Sequence, residues 1–158
     1  MKKYFIFLIW MVIQCSYAVS VPVSFSGTLI EPPACTINSG GIIDVNFGEQ
    51  LSSNRIDGEN YRQVIPWKLT CPVAPAPLVL RLIIKGNATS FENTALQTSK
   101  ADLGIRLLSD GKRFELNKLV PLNVSAPPVL EAVPISRPAS SLTEGAFSAS
   151  ATLLALYL

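Results

Sequence analysis

Residues 145–158 read GAFSASATLLALYL. Alternation places Phe147, Ala149, Ala151, Leu153, Ala155 and Tyr157 on one face of a strand, with Ser148, Ser150 and Thr152 on the other until Leu154. The first face is apolar throughout, and its three alanines leave hollows between larger neighbours. At the opposite end, residues 19–31 read VSVPVSFSGTLIE. Here Val19, Val21, Val23, Phe25 and Leu29 share one face, with Gly27 in the same register. Pro22 falls on the face opposite the valines and removes one backbone donor from any ladder. One end of the chain has a strand to give, and the other needs one.

Between these ends the apolar segments are short and broken about every ten residues by Gly, Pro, Asn, Asp or Ser, which is the pattern of an all-β sandwich. Strands are predicted at Ile42–Phe47, Val64–Cys71, Leu78–Lys85, Leu103–Leu108, Lys112–Leu116, Val120–Val124, Val129–Ile135 and Ala146–Tyr157. Ser109, Asp110 and Gly111 signal a hairpin. Eleven of the prolines fall between residues 32 and 138 and would break most helices. Only a short helical turn near Ser90–Ser99 stays open. The size suits one domain, with no linker or tandem repeat.

Residues 1–18, MKKYFIFLIWMVIQCSYA, place two lysines before an apolar run from Tyr4 to Ile13, then Ser16 and Ala18 at small-residue positions. A secretory leader cleaved after Ala18 is expected. The apolar run falls well short of the roughly 20 residues that span a bilayer. Lys2 and Lys3 carry the whole formal excess of +2, so residues 19–158 have no net charge. That balance gives no electrostatic case for nucleic acid or an anionic membrane.

Of three cysteines, Cys15 leaves with the leader, and Cys35 and Cys71 remain in a chain routed to an oxidising compartment. A disulfide between them is expected rather than two free thiols. With no histidine in the chain, Ser-His and Cys-His catalysis and most zinc sites are excluded. Asp57-Gly58-Glu59-Asn60 is the densest polar run. It lacks the spacing of a calcium loop and a distal glutamate, so it reads as a solvated turn. Asn87-Ala88-Thr89 and Asn123-Val124-Ser125 match a glycosylation pattern too short to carry a function. No enzyme activity and no cofactor are expected.

Several linked features, in order, resemble the pilin subunits of chaperone-usher fimbriae of Gram-negative bacteria. They are the alternating extension with Gly27, the segment Pro32-Pro33-Ala34-Cys35-Thr36-Ile37, the stretch Asp44-Val45-Asn46-Phe47-Gly48, Cys71, and an ending with Gly145 and a penultimate Tyr157. The Pro-Pro-x-Cys-Thr-Ile stretch is most similar to that of minor tip adaptors of P-type pili.

The resemblance implies an incomplete immunoglobulin-like sandwich that lacks its last strand, in a pilin domain spanning residues 31–158. A groove along Phe147, Ala149, Ala151, Leu153, Ala155 and Tyr157 would be filled first by a periplasmic chaperone, which anchors the carboxylate of Leu158. At the outer-membrane usher, the extension of the next subunit would replace the chaperone strand. Residues 19–30, through Val19, Val21, Val23, Phe25, Gly27 and Leu29, would be the strand donated to a neighbouring fimbrial subunit. Leu154, Leu156 and Leu158 make the final turn of the strand apolar on both faces and point to a further partner contact. Tip adaptor or minor subunit is the first expectation, with shaft subunit and assembly terminator as alternatives. A receptor-binding adhesin fits less well, because such proteins are about twice this length and lack a donor strand.

Overall fold

The computed structural model describes residues 19–158, and the expected leader at 1–18 lies outside them. Residues 19–30 and residues 31–158 are separate units. Residues 19–30 form no helix or strand, and their apolar side chains are exposed, Phe25 at 92%.

Residues 31–158 contain ten strands: β1 Thr36–Ile37, β2 Gln63–Val64, β3 Leu69–Thr70, β4 Leu80–Lys85, β5 Ala95–Gln97, β6 Leu103–Ser109, β7 Lys112–Arg113, β8 Val120–Pro121, β9 Leu130–Ser136 and β10 Thr152–Tyr157. One sheet has the order β10-β4-β8; the other has the order β2-β9-β6-β5, with β7 hairpinned onto β6. A two-stranded pair, β1-β3, completes the set. All pairings are antiparallel. The result is an immunoglobulin-like sandwich.

Period-two alternation explains the core. Leu80, Leu82 and Ile84 of β4 point inward against Leu96 of β5, Ile105 and Leu107 of β6, and Leu130 and Ala132 of β9. Phe114, Leu116 and Leu122, carried on connections, fill the remaining space. Each such burial stabilises by roughly 1.5–3 kcal/mol. The β6–β7 hairpin turns at Asp110 and Gly111, both with positive φ, as the Ser-Asp-Gly signal requires. Cys35 and Cys71 form a disulfide with Cα atoms 4.3 Å apart, which pins β1 beside β3.

Six sequence expectations change. The expected strand Val64–Cys71 splits into β2 and β3, because Pro66 has no N–H and the chain switches there from β9 to β1. Ser90–Ser99 contains β5 and no helical turn; Thr89 Oγ1 instead accepts the Glu92 N–H and donates to Glu92 O. Lys112–Leu116 and Val120–Val124 shorten to β7 and β8, because Phe114, Leu116 and Leu122 turn into the core. Ile42–Phe47 is extended, with alternating burial, but belongs to no ladder. Ala146–Tyr157 begins its ladder only at Thr152. The last two differences have one cause, developed next.

Candidate functional site

The segment of residues 42–48 alternates outward and inward, with Ile43, Val45 and Phe47 half-buried and Ile42, Asp44 and Asn46 exposed. Among the described residues, no backbone–backbone hydrogen bond reaches this segment. Its side-chain hydrogen bond is local: Gly48 N–H donates to Asn46 Oδ1 at 2.7 Å. Residues 146–151 are in the same condition. Their one backbone pairing among the described residues is Ser99 N–H to Ser148 O, 2.9 Å, and Ser148 N–H donates to Ser99 Oγ at 3.1 Å. Beyond them β10 pairs with β4 along one edge and stands at the end of its sheet, with no strand hydrogen-bonded to its other edge among the described residues.

Between these two walls lies an open groove of about 1120 Å³. Its floor is the hydrophobic core, through Ile84, Leu96, Ile105, Leu107, Leu130 and Ala132. One wall is Ile43–Glu49, and the other runs from Leu142 through Ala149 to Ala151 and Leu153. Phe47 and Phe147 meet from opposite walls with ring centroids 6.1 Å apart. Ala149 and Ala151 are exposed within the groove and leave it open.

Three local features hold the second wall. Gly145 has φ +111°, a conformation that side chains disfavour, and it turns the chain into the wall. Lys100 Nζ donates to Glu144 O at 2.9 Å and lies 3.4 Å from Thr143 Oγ1. The buried Thr98 fixes Lys100 by accepting its N–H at 3.0 Å while donating to Leu103 O at 2.9 Å.

Of the residues the sequence put on the acceptor face, Phe147, Ala149, Ala151 and Leu153 line the groove. Ala155 and Tyr157 lie outside its lining and pack against the core instead. The Tyr157 hydroxyl donates to Pro72 O at 2.8 Å. Leu158 continues the β10–β4 ladder by exchanging both backbone bonds with Val79, at 2.8 and 3.0 Å. Leu154 and Leu156 are half-buried and are not part of the core cluster. The opposite wall, Ile43, Val45 and Phe47, shows its alternation in the sequence but carries no sign there of belonging to a groove. Lys100 carried no signal, since its partner is a backbone carbonyl 44 residues away.

Two carboxylates outside the groove are engaged structurally. Glu92 receives two hydrogen bonds from Arg106, both 2.7 Å, which hold its carboxyl down at about 2. Asp57 accepts the N–H groups of Glu59 and Asn60 and is likewise held at about 2, so its carboxylate serves its own turn.

An antiparallel sandwich with a strand-shaped opening beside its last strand defines a class, that of pilus subunits. A family model for fimbrial proteins matches residues 23–157, and the chain belongs to that family. It is 34% identical over 158 residues to the fimbrial-like protein YfcQ of Escherichia coli strain K12, covering 97% of each. The P pilus rod subunit PapA has the same fold, with TM-score 0.57 and 20% identity, over 87% of this chain and 100% of that one. The P pilus adaptor subunit PapF does too, with TM-score 0.57 and 24% identity, over 81% of this chain and 98% of that one.

Proposed function

We propose that this chain is a structural link of a cell-surface fimbria, built by strand exchange and without catalytic activity. A periplasmic chaperone lends a strand to the groove during secretion. At the outer-membrane usher, the N-terminal extension of a neighbouring subunit replaces it, and residues 19–30 of this chain serve a neighbour in turn. The observation that carries this reading is the apolar groove between two extended walls whose backbones have no ladder partner. A strand laid there would gain main-chain bonds on both sides and bury alternate side chains on the core. Left empty, the same edges invite aggregation, which is the physical reason for a chaperone.

The groove is open beside Ala149 and Ala151 and at Gly145, which favours a link or adaptor over a terminator with an obstructed groove. The test is periplasmic expression of the chain alone and with a donor strand appended. The chain alone should be recovered in lower yield and unfold at a lower midpoint than the completed chain, which should be soluble and cooperatively folded. A soluble, cooperatively folded monomer that gains nothing from the added strand would overturn the proposal.

A further inference from the structure

Thr98, Ser99 and Lys100 follow β5, at one edge of the five-stranded sheet, and from there they reach the wall of residues 142–151 that has no ladder partner. We infer that these three residues are a bracket that holds this wall in strand geometry before any strand binds, and so sets how fast the groove takes a strand up. The inference rests on the acceptor-groove reading above and adds to it the residues that position one wall. Ser99 stands in for a ladder partner. In an antiparallel hydrogen-bonded pair, two residues exchange both N–H to carbonyl bonds. Ser99 and Ser148 do so with one replacement: Ser99 N–H donates to Ser148 O at 2.9 Å, and Ser148 N–H donates to Ser99 Oγ at 3.1 Å, where a strand would offer a carbonyl. A second anchor lies four residues earlier in the wall, where Lys100 Nζ donates to Glu144 O at 2.9 Å.

The bracket is itself anchored. Thr98 is buried and its hydroxyl accepts the Lys100 N–H at 3.0 Å. Arg137 holds the far end of the same turn, through its N–H to Asp102 O at 2.8 Å and its Nε to Asp102 Oδ1 at 2.6 Å. The other wall has no such device: among the described residues, the hydrogen bond of residues 42–48 is the internal one from Gly48 N–H to Asn46 Oδ1. This asymmetry orders the pairing. Fixing a backbone costs conformational entropy, and at the bracketed wall that cost falls before the strand arrives. An incoming strand therefore pairs first with residues 146–151, and residues 42–48 close on it afterwards. Once bound, the strand itself holds both walls, so the bracket acts on association and not on dissociation.

The test is stopped-flow uptake of a dye-labelled synthetic strand of alternating valine and threonine by the full chain. Ser99→Ala with Lys100→Met removes the hydroxyl acceptor and the ammonium donor while keeping the length of the lysine stem. This double variant should take the strand up roughly 10-fold more slowly, with a dissociation rate within about 2-fold of the parent's. Lys100→Met alone should slow uptake by about 3-fold, and Lys100→Arg, which keeps a donor for Glu144 O, should not slow it. Completed by an appended strand, the double variant should unfold at the midpoint of the completed parent, a result that a merely structural role would not give. Val45→Ala, on the wall without a bracket, should instead raise the dissociation rate and leave association unchanged. Parental association in the double variant, or a change carried by dissociation alone, would overturn the bracket and leave the groove reading standing. Slowing by Lys100→Arg as large as by Lys100→Met, or slowing by Val45→Ala as large as in the double variant, would also overturn it. No uptake by the parent chain would overturn both the bracket and the groove reading.

Discussion

Val45 and Phe47 in one wall of the groove alternate as cleanly as Leu82 and Ile84 in β4, but their fates differ. Leu82 and Ile84 are buried in a strand paired on both edges, with β10 and β8. Val45 and Phe47 stay half-buried in a segment paired on neither. Alternation encodes which side chains face inward, whereas a ladder also needs a neighbour with free N–H and C=O groups. The groove walls have the first without the second. The sandwich is therefore two structures in one: a finished half around β4, β6 and β9, and an unfinished margin along residues 42–48 and 146–151.

Loss of the disulfide should act most strongly, because it closes a loop of 36 residues' separation just before the first wall begins. Replacing both Cys35 and Cys71 by Ser is expected to cost about 4 kcal/mol on the chain-entropy account, read from urea denaturation. A loss below about 1 kcal/mol would show that the finished half holds without its pin.

Leu82 and Leu153 compare the two regions directly. Leu82→Ala, at a fully buried site, should cost about 3–5 kcal/mol, and Leu153→Ala about 1 in the empty chain. A strand in the groove should raise the cost at Leu153 and leave that at Leu82 unchanged. Equal costs in the empty chain would erase the distinction.

Acid tests the finished half alone. The Glu92 carboxyl is lowered from 4.5 to about 2 by Arg106, so its contribution is full above pH 4.5 and lost as pH falls through about 2. Glu92→Gln should be less stable than the parent at neutral pH, and the gap should close between pH 4.5 and 2. A gap constant across that window would show that the Arg106 contact does not act through charge.

Ala149→Leu should have the smallest effect on the empty chain, within about 0.5 kcal/mol, because Ala149 is exposed. The same change fills a hollow of the groove and should block strand uptake, seen as loss of any rise in unfolding midpoint on adding a strand. A large cost in the empty chain would place Ala149 in the finished half.

Much of the finished half was legible in the sequence. The alternating runs in β4, β6 and β9, the turn at Asp110 and Gly111, and the pairing of Cys35 with Cys71 all depend on local pattern or compartment. The division of residues 64–71 between two sheets was less visible, because Pro66 reads as an edge proline until the switch of partner is seen. Ala95–Gln97 has no legible period, because it is three residues long. The absent ladder at residues 42–48 had no local sign, since what is missing there is a neighbour. Half of the site, the run from Phe147 to Leu153, could be read from its alanines. The clamp from Lys100 to Glu144 O could not, because a backbone carbonyl has no residue code.

Amide hydrogen exchange at residues 43–47 and 149–151 tests the unfinished margin most directly, measured with and without an added alternating strand. In the chain alone these amides should exchange at rates near those of an unfolded peptide, while those of β6 and β9 are strongly protected. With the strand bound, amides on both walls should slow by at least ~100-fold together. Protection of both walls in the chain alone, or no change on adding the strand, would contradict the account.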